Sequence, residues 1–330
     1  MQHIYSEDQL RLAARLYYLD GLAQNEVARL VNVSQPKVSR LLALARQRGI
    51  VRITVSNCEE RRTELEQQLC QTFGLATAIV PKLADGLGAA DLRRAVGHLG
   101  ARAVDELIAA GATVALAGGR TLHELAKSLP ESSDKAITVV QAMGSVDSNV
   151  SEFDAQEIGR ALAQRCGGTF LALNTPAFIP ERRTRDVLLA LTQVRKVRQQ
   201  WDDSSAAIVG LGTLQNSVFA ERGTLTPASI RELEKAGAVG EICGRFFDAH
   251  GDECATSWRD RVISIRIEQL RKIPQVIAVV SGSDRSEAIL AAIEGGIIKS
   301  LVIDETGALT LLATKRSAPS RSLKTKFSQK

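Results

Sequence analysis

Residues 21–47 read GLAQNEVARLVNVSQPKVSRLLALARQ. Two short helical patterns meet here across a tight polar turn. The pattern at 24–31 puts Val27, Leu30 and Val31 on one side. Asn32, Val33 and Ser34 form the turn, with Val33 as an apolar plug and Ser34 as an N-cap ahead of Pro36. At 100° per residue, Val38, Leu41, Leu42 and Ala45 share one face of the second helix. Ser39, Arg40, Ala43 and Gln47 lie opposite, flanked by Gln35 and Lys37, and Gly49 ends the helix. A helix with an apolar inner face and a basic outer face, led in by a short turn, suits the major groove of DNA. Arg40 and Gln35 are expected at base edges, and Lys37 and Ser39 at the phosphate backbone. An ordinary helical hairpin with a solvated polar face would satisfy the same pattern. After Gly49 the run VRITV (51–55) alternates like a short strand, so a small wing is expected.

Charge follows the same division. Residues 1–56 hold eight basic and four acidic side chains, which suits phosphate contacts. Residues 315–330 hold six basic and no acidic ones, so the middle of the chain is net negative although the whole is +5. The stretch from 314 to 330 contains Pro, Ser and few apolar residues and is expected to be disordered. It would either add non-specific DNA affinity or only solubilise.

The 330 residues call for more than one domain. No apolar run reaches membrane-spanning length, and the start MQHIYSEDQL is polar, so neither a membrane span nor a signal peptide is expected. Five cysteines (Cys58, Cys70, Cys166, Cys243, Cys254) are an odd number without a CxxC pair, which fits reduced thiols in a cytoplasm. Cys243, His250 and Cys254 match no common zinc spacing and lack a fourth ligand, so no metal is expected. The expected organisation is a helix-turn-helix domain over 1–56, a linker helix over 57–74, an effector-binding and oligomerisation domain over 75–313, and a basic tail over 314–330. Leu65, Leu69 and Phe73 give the linker only a thin apolar stripe.

From Ala76 onward, short apolar runs alternate with helical stretches. The runs are at 76–80, 113–117, 136–140, 169–173, 206–210, 262–267, 276–280 and 300–304, and the helices include 92–110 and Ser286–Glu294. Continuous apolar strands separated by helices predict an α/β fold, with a Rossmann-like parallel sheet covered on both faces. Ligands of such sheets bind beyond the carboxyl ends of the strands. The turn Ala117-Gly118-Gly119-Arg120-Thr121 follows the second run. It offers two glycines, a hydroxyl, a cation and a helix N-terminus, which together fit a phosphate. A plain strand-to-helix turn would use the glycines equally well. The motif is neither a P-loop nor a full GxGxxG, and no cofactor is expected. Further turns lie at Gly210-Leu211-Gly212, Met143-Gly144-Ser145 and Ser281-Gly282-Ser283-Asp284-Arg285. The loop-rich stretch 237–251 carries Asp248, a candidate acceptor for sugar hydroxyls.

The order VSQPKVSRLL, AGGRTL, LNTPAF, IVGLG, GAVGEICGRFFDAHG and IEQLRKIPQVIAVVSGSDRSEAILAAIEGG resembles the sugar-binding transcriptional regulators of the sorbitol-operon regulator (SorC) family, also grouped with deoxyribonucleoside regulators, over about residues 8–313. The resemblance implies a homo-oligomer, a tetramer, that binds operator DNA and controls a carbohydrate catabolic operon. It implies an effector domain similar in fold to ribose-5-phosphate isomerase and glucosamine-6-phosphate deaminase. It also implies a phosphorylated sugar or polyol effector, its phosphate held by Gly118, Gly119, Arg120, Thr121 and Arg285. Many relatives have lysine at the place of Arg285, and arginine there forms no Schiff base. Many have tryptophan at the place of Gly119, so more room is expected here. The alternative is a sugar-phosphate isomerase or deaminase-like enzyme. Against it, the turn after Gly212 reads Thr213-Leu214-Gln215-Asn216, without the acid and imidazole of the deaminases.

Overall fold

The computed structural model describes residues 5–53, 61–130, 135–147 and 151–317. The chain divides into two compact units, Met1–Cys58 and Glu59–Lys330. The end of the expected wing (54–55), the 56/57 boundary, Cys58 and tail residues 318–330 lie outside the described residues.

In the smaller unit, α1 (Glu7–Ala14) starts at Ser6, whose hydroxyl accepts from the Gln9 amide while the Gln9 side chain accepts from the Ser6 amide. A π-helical turn, Arg15–Leu19, continues it. The next helices are α2 (Gln24–Leu30) and α3 (Gln35–Gln47). Between them Asn32 takes a left-handed φ of 55°, a conformation asparagine tolerates better than most residues. The Val33 amide then closes the turn on the Ala28 carbonyl at 2.9 Å. Leu10, Ala13, Val27, Val38, Leu41 and Ala45 are fully buried, and the alanines let the helices approach closely. The helix-turn-helix is thus completed by a third helix, α1. The polar start of the chain hid it, although Leu10, Ala13 and Ala14 stand at helical spacing. Residues 51–53 pair with no strand.

The larger unit runs α4 (Thr63–Phe73), β1 (Thr77–Ile79), α5 (Ala89–Leu107), β2 (Thr113–Leu116), α6 (Arg120–Ser128), β3 (Thr138–Gln141), α7 (Ala155–Arg165), β4 (Thr169–Leu171), α8 (Arg182–Ala190), α9 (Thr192–Asp202) and β5 (Ala206–Val209). It continues through α10 (Val218–Glu221), α11 (Pro227–Lys235), β6 (Gly240–Ile242), β7 (Arg245–Phe247), α12 (Ile267–Lys272), β8 (Gln275–Val279), α13 (Ser286–Glu294), β9 (Ser300–Val302) and α14 (Glu305–Ser317). Seven strands form one parallel sheet in the order β1-β9-β8-β5-β2-β3-β4. Ala115 of β2 sits between Val140 of β3 and Ala207 of β5. After β2 the chain builds outward through β3 and β4, then returns to the other side of β2 for β5 and β8. The order therefore reverses between β2 and β5, and there the connections leave on opposite sides and open a crevice. All four residues of β5 are buried, as expected of a strand covered on both faces.

Three segments differ from expectation. Of the stretch 262–267, residues 262–265 are buried and extended but form no ladder, Arg266 is exposed and Ile267 already begins α12. The Ile265 amide donates to the Ala142 carbonyl (2.7 Å), Ile263 donates to Ala177 (2.8 Å), and Gly144 donates to Ile263 (3.0 Å), so its partners alternate between two segments. The loop-rich stretch 237–251 contains the antiparallel hairpin β6–β7, with Ile242 opposite Arg245. Its two turn residues, Cys243 and Gly244, both have positive φ (50° and 75°), the backbone of a type I′ turn. Finally, α4, expected as part of a connector, packs into the larger unit through Leu65 and Leu69. Arg61 grips both carboxylate oxygens of buried Glu66 at 2.7 Å each, and Arg62 reaches Glu305 on α14 at 2.9 Å.

Candidate functional site

On α3, Val38, Leu41, Leu42 and Ala45 face the interior, while Gln35, Lys37, Ser39 and Arg40 are all exposed. Ser34 has the extended backbone of an N-cap, but its hydroxyl makes no cap bond, so no side chain caps the first turn of α3. Pro36 removes one of the amides that would need a partner there. Gln35 donates to Gln24 at 3.2 Å and ties the starts of α2 and α3 together. The four residues lie on the exposed side of a helix whose other face is packed.

In the larger unit a cavity of about 200 Å³ opens at the carboxyl ends of β2, β3, β5 and β8. At roughly 10–15 Å³ per water, it has room for a ligand on the order of fifteen heavy atoms, the size of a sugar phosphate. Gly118, Gly119, Arg120, Thr121 and Arg285 all line it. The two glycines serve different ends. A Cβ at Gly118 would lie 2.9 Å from the Ala155 amide and the Phe153 carbonyl, so that glycine lets the loop before α7 close in. Gly119 has a φ of 138° and open space around it, and its amide donates to the Phe153 carbonyl at 2.8 Å. The turn delivers the N-terminus of α6 to the cavity with no side-chain cap, leaving a fixed positive dipole end for an anion.

The arginines are partly engaged. Arg120 makes a two-pronged pair with Glu221 of α10, at 3.0 and 2.7 Å. Arg285 donates through Nη1 to the Ser281 carbonyl (3.0 Å) and to Asp284 (2.8 Å), which fixes its head at the cavity wall. Two further cations line the cavity without having been singled out from the sequence. Arg93 comes from α5 and makes no ion pair among the described residues, and Arg222 pairs with Asp147 at 3.1 Å.

Asp248 is not brought to the site. It follows β7, and its Oδ1 accepts from the His250 and Asp252 amides at 2.8 and 3.0 Å, so the carboxylate holds its own turn. Of the acids in the stretch 237–251, the one that lines the cavity is Glu241 on β6, beside Asp147, Asp154 and Glu221 from other segments. It is buried, its Oε1 accepts from the Gly244 amide at 2.6 Å, and its backbone pairs with Gly212 in both directions at 2.9 Å. Burial raises its carboxyl above the usual range, against the opposing hydrogen bonds from Gly244 and Ser217. The hairpin that carries it is clamped. Trp258 donates to the Gly244 carbonyl at 2.8 Å, and buried Arg245 binds Glu253 (2.7 Å) and the carbonyls of Ile265 (2.8 Å) and Ser264 (3.1 Å). The sequence signal was the residue pair Cys243-Gly244 between two short apolar runs, a weak form of the two-residue hairpin turn. Asn216, held by Asp284 at 2.7 Å, adds an amide to the rim.

Among the described residues no histidine or lysine lines the cavity. His98 bonds Ser128, and His123 bonds the Glu152 carbonyl and packs edge-on to Phe153. Burial pushes the Cys243 thiol to about 12 and Cys254 to about 11, so both stay protonated. Among the described residues no three His, Cys, Asp or Glu side chains are grouped to hold a metal, and no helix is long and apolar enough to cross a membrane.

Residues 59–313 match the family model of a sugar-binding domain. The chain is 28% identical to the sorbitol operon regulator of Klebsiella pneumoniae, covering 93% of this chain and 99% of that one. It is also 28% identical to the deoxyribonucleoside regulator of Bacillus subtilis (91% and 96% covered). The erythritol catabolism regulatory protein of Brucella abortus is 27% identical (93% and 97% covered). The crystal structure of the full-length Klebsiella regulator superimposes with a TM-score of 0.74 at 27% identity, over 93% of this chain and 99% of that one.

Proposed function

This chain belongs to the SorC family of sugar-binding transcriptional regulators, and from that premise we propose that it binds operator DNA and controls a carbohydrate catabolic operon in response to a phosphorylated sugar or polyol. One observation carries the reading. The cavity at the sheet's reversal point joins an uncapped helix start and several arginines to a buried carboxylate, so both an anion and hydroxyls find partners in one space. Gly118, Gly119, Arg120, Thr121 and Arg285 take the phosphate, supported by Arg93. Glu241 and Asn216 replace Asp248 as the groups that read the hydroxyls. In the smaller unit, Gln35 and Arg40 read bases while Lys37 and Ser39 hold phosphates.

The protein acts as a regulator rather than as an isomerase or deaminase. Proton transfer on a sugar needs a group that titrates near neutral pH and can reach the reacting carbon. Among the described residues the lining offers no imidazole, and its acids are engaged by arginines or backbone amides. One helix-turn-helix spans too few base pairs for useful specificity, so the working form is a homo-oligomer, a tetramer, on repeated half-sites in the cytoplasm. Effector binding then shifts the balance between quaternary arrangements.

Calorimetry with a matched sugar and sugar phosphate tests the site. The phosphate should bind more tightly, and Arg285→Ala should remove that preference while leaving operator affinity unchanged. Equal binding of the two ligands, or no effect of the substitution on phosphate affinity, rejects the phosphate assignment.

A further inference from the structure

The mouth of the cavity is crossed by two ion pairs of opposite sense, both from the end of α10. Glu221 places its two oxygens on the two Nη atoms of Arg120, at 3.0 and 2.7 Å. The next residue, Arg222, reaches Asp147 beyond β3 at 3.1 Å. One short helix is therefore tied to the turn after β2 and to the segment after β3, across the opening. Behind the mouth α10 is fixed by Phe219, which is fully buried, and by Ser217, whose hydroxyl accepts from the Phe219 amide at 3.2 Å. Glu221 and Arg222 follow as a half-exposed tip (41% each).

The Glu221–Arg120 contact has the planar, two-pronged form that an arginine also makes with a phosphate. It sits on the first residue of α6, at the uncapped helix start that lines the cavity. We propose that Glu221 is an internal stand-in for the anionic group of the effector: it holds Arg120 through both guanidinium Nη atoms and must be displaced before a phosphate can use that guanidinium. The inference rests on the phosphate reading of the cavity.

The consequence is selectivity. A neutral sugar offers Arg120 nothing that replaces a carboxylate, so it leaves the pair intact. A phosphate brings nearly two charges and can use the α6 amides together with the guanidinium, so it displaces Glu221. Once displaced, Glu221 is repelled by the ligand and that tie of α10 is lost, while Arg222–Asp147 remains as a tether. Occupancy of the cavity is thereby converted into release of one side of α10. Glu221 is thus a specificity-determining residue that weakens binding overall in order to discriminate by charge.

The test uses the full chain and its E221Q variant, which keeps size and removes the charge. Inorganic phosphate and a matched pentose and pentose 5-phosphate are titrated by calorimetry, and hydrogen exchange is followed over residues 217–223. E221Q should bind the phosphate-bearing probes about two- to five-fold more tightly, the range of an exposed ion pair, with pentose binding unchanged. Exchange at 217–223 should rise in the parent chain when the sugar phosphate binds, and should already be raised in ligand-free E221Q. Equal phosphate affinity in both chains, with exchange at 217–223 insensitive to ligand and to the substitution, overturns the stand-in role and leaves the phosphate site standing. Absence of any phosphate preference in either chain overturns both.

Discussion

Glu241 is buried in the cavity wall, and its burial carries an expected pH dependence. Its folded carboxyl is raised above 4.5 by burial, so the folded state favours the protonated form. The associated stability is fully present below 4.5 and is lost as pH rises through the raised value. Glu241→Gln keeps the shape and cannot ionise. Its melting temperature should match the parent's in acid and exceed it increasingly as pH rises from 4.5 towards neutrality. A constant difference across that range would show that the carboxyl titrates normally in the fold. The same residue marks the limit of reading by residue type. Asp248 and Glu241 are seven positions apart on the two arms of one hairpin, and both are acids in a glycine-rich stretch. Which of them meets the cavity depends on how the hairpin crosses the end of β5, and no local pattern encodes that. The arginine and glycine turn was legible because its chemistry is local: a strand end, two glycines and a helix start are contiguous in the chain.

At the scale of elements, α3 was readable because its two faces follow from the 3.6-residue period alone. Its inner face holds Leu41 and Ala45 at 0% exposure, which fixes the outward direction of Arg40. Arg40→Ala should therefore leave the fold intact and cost about 1–3 kcal/mol on a specific operator, whereas Lys37→Ala should weaken all sequences alike. Fluorescence anisotropy with operator and scrambled duplexes decides this, and an equal loss on both duplexes for Arg40→Ala would remove its base-reading role. Elements without a period of their own were misread. The stretch 262–267 has strand composition, yet its amides and carbonyls serve two segments in turn. β6 and β7 are three residues each, too short for alternation to register.

At the scale of the molecule, the two units have separate cores, one built around Leu10, Val27 and Leu41 and the other around the sheet. A fragment comprising Glu59–Lys330 should fold by itself, show the same melting-temperature rise with a sugar phosphate as the full chain, and bind no operator. Retained operator binding by the fragment would remove α3 from its role. Light scattering on the full chain and fragment should give the same oligomer if the larger unit holds the assembly, and a monomeric fragment would place that contact elsewhere.

The sequence by itself determined the alternation of strands and helices that builds the parallel sheet, the helix-turn-helix and the glycine and arginine turn after β2, since each rests on periodicity or on contiguous residues. The tertiary structure alone decided what stands opposite that turn. Arg93, Glu221, Arg222 and Glu241 come from α5, α10 and β6, far apart in the chain, and meet the α6 N-terminus only because the strand order reverses between β2 and β5. It also decided that Arg120 is already held by a carboxylate, a pairing across 101 positions that only the folded sheet brings within reach.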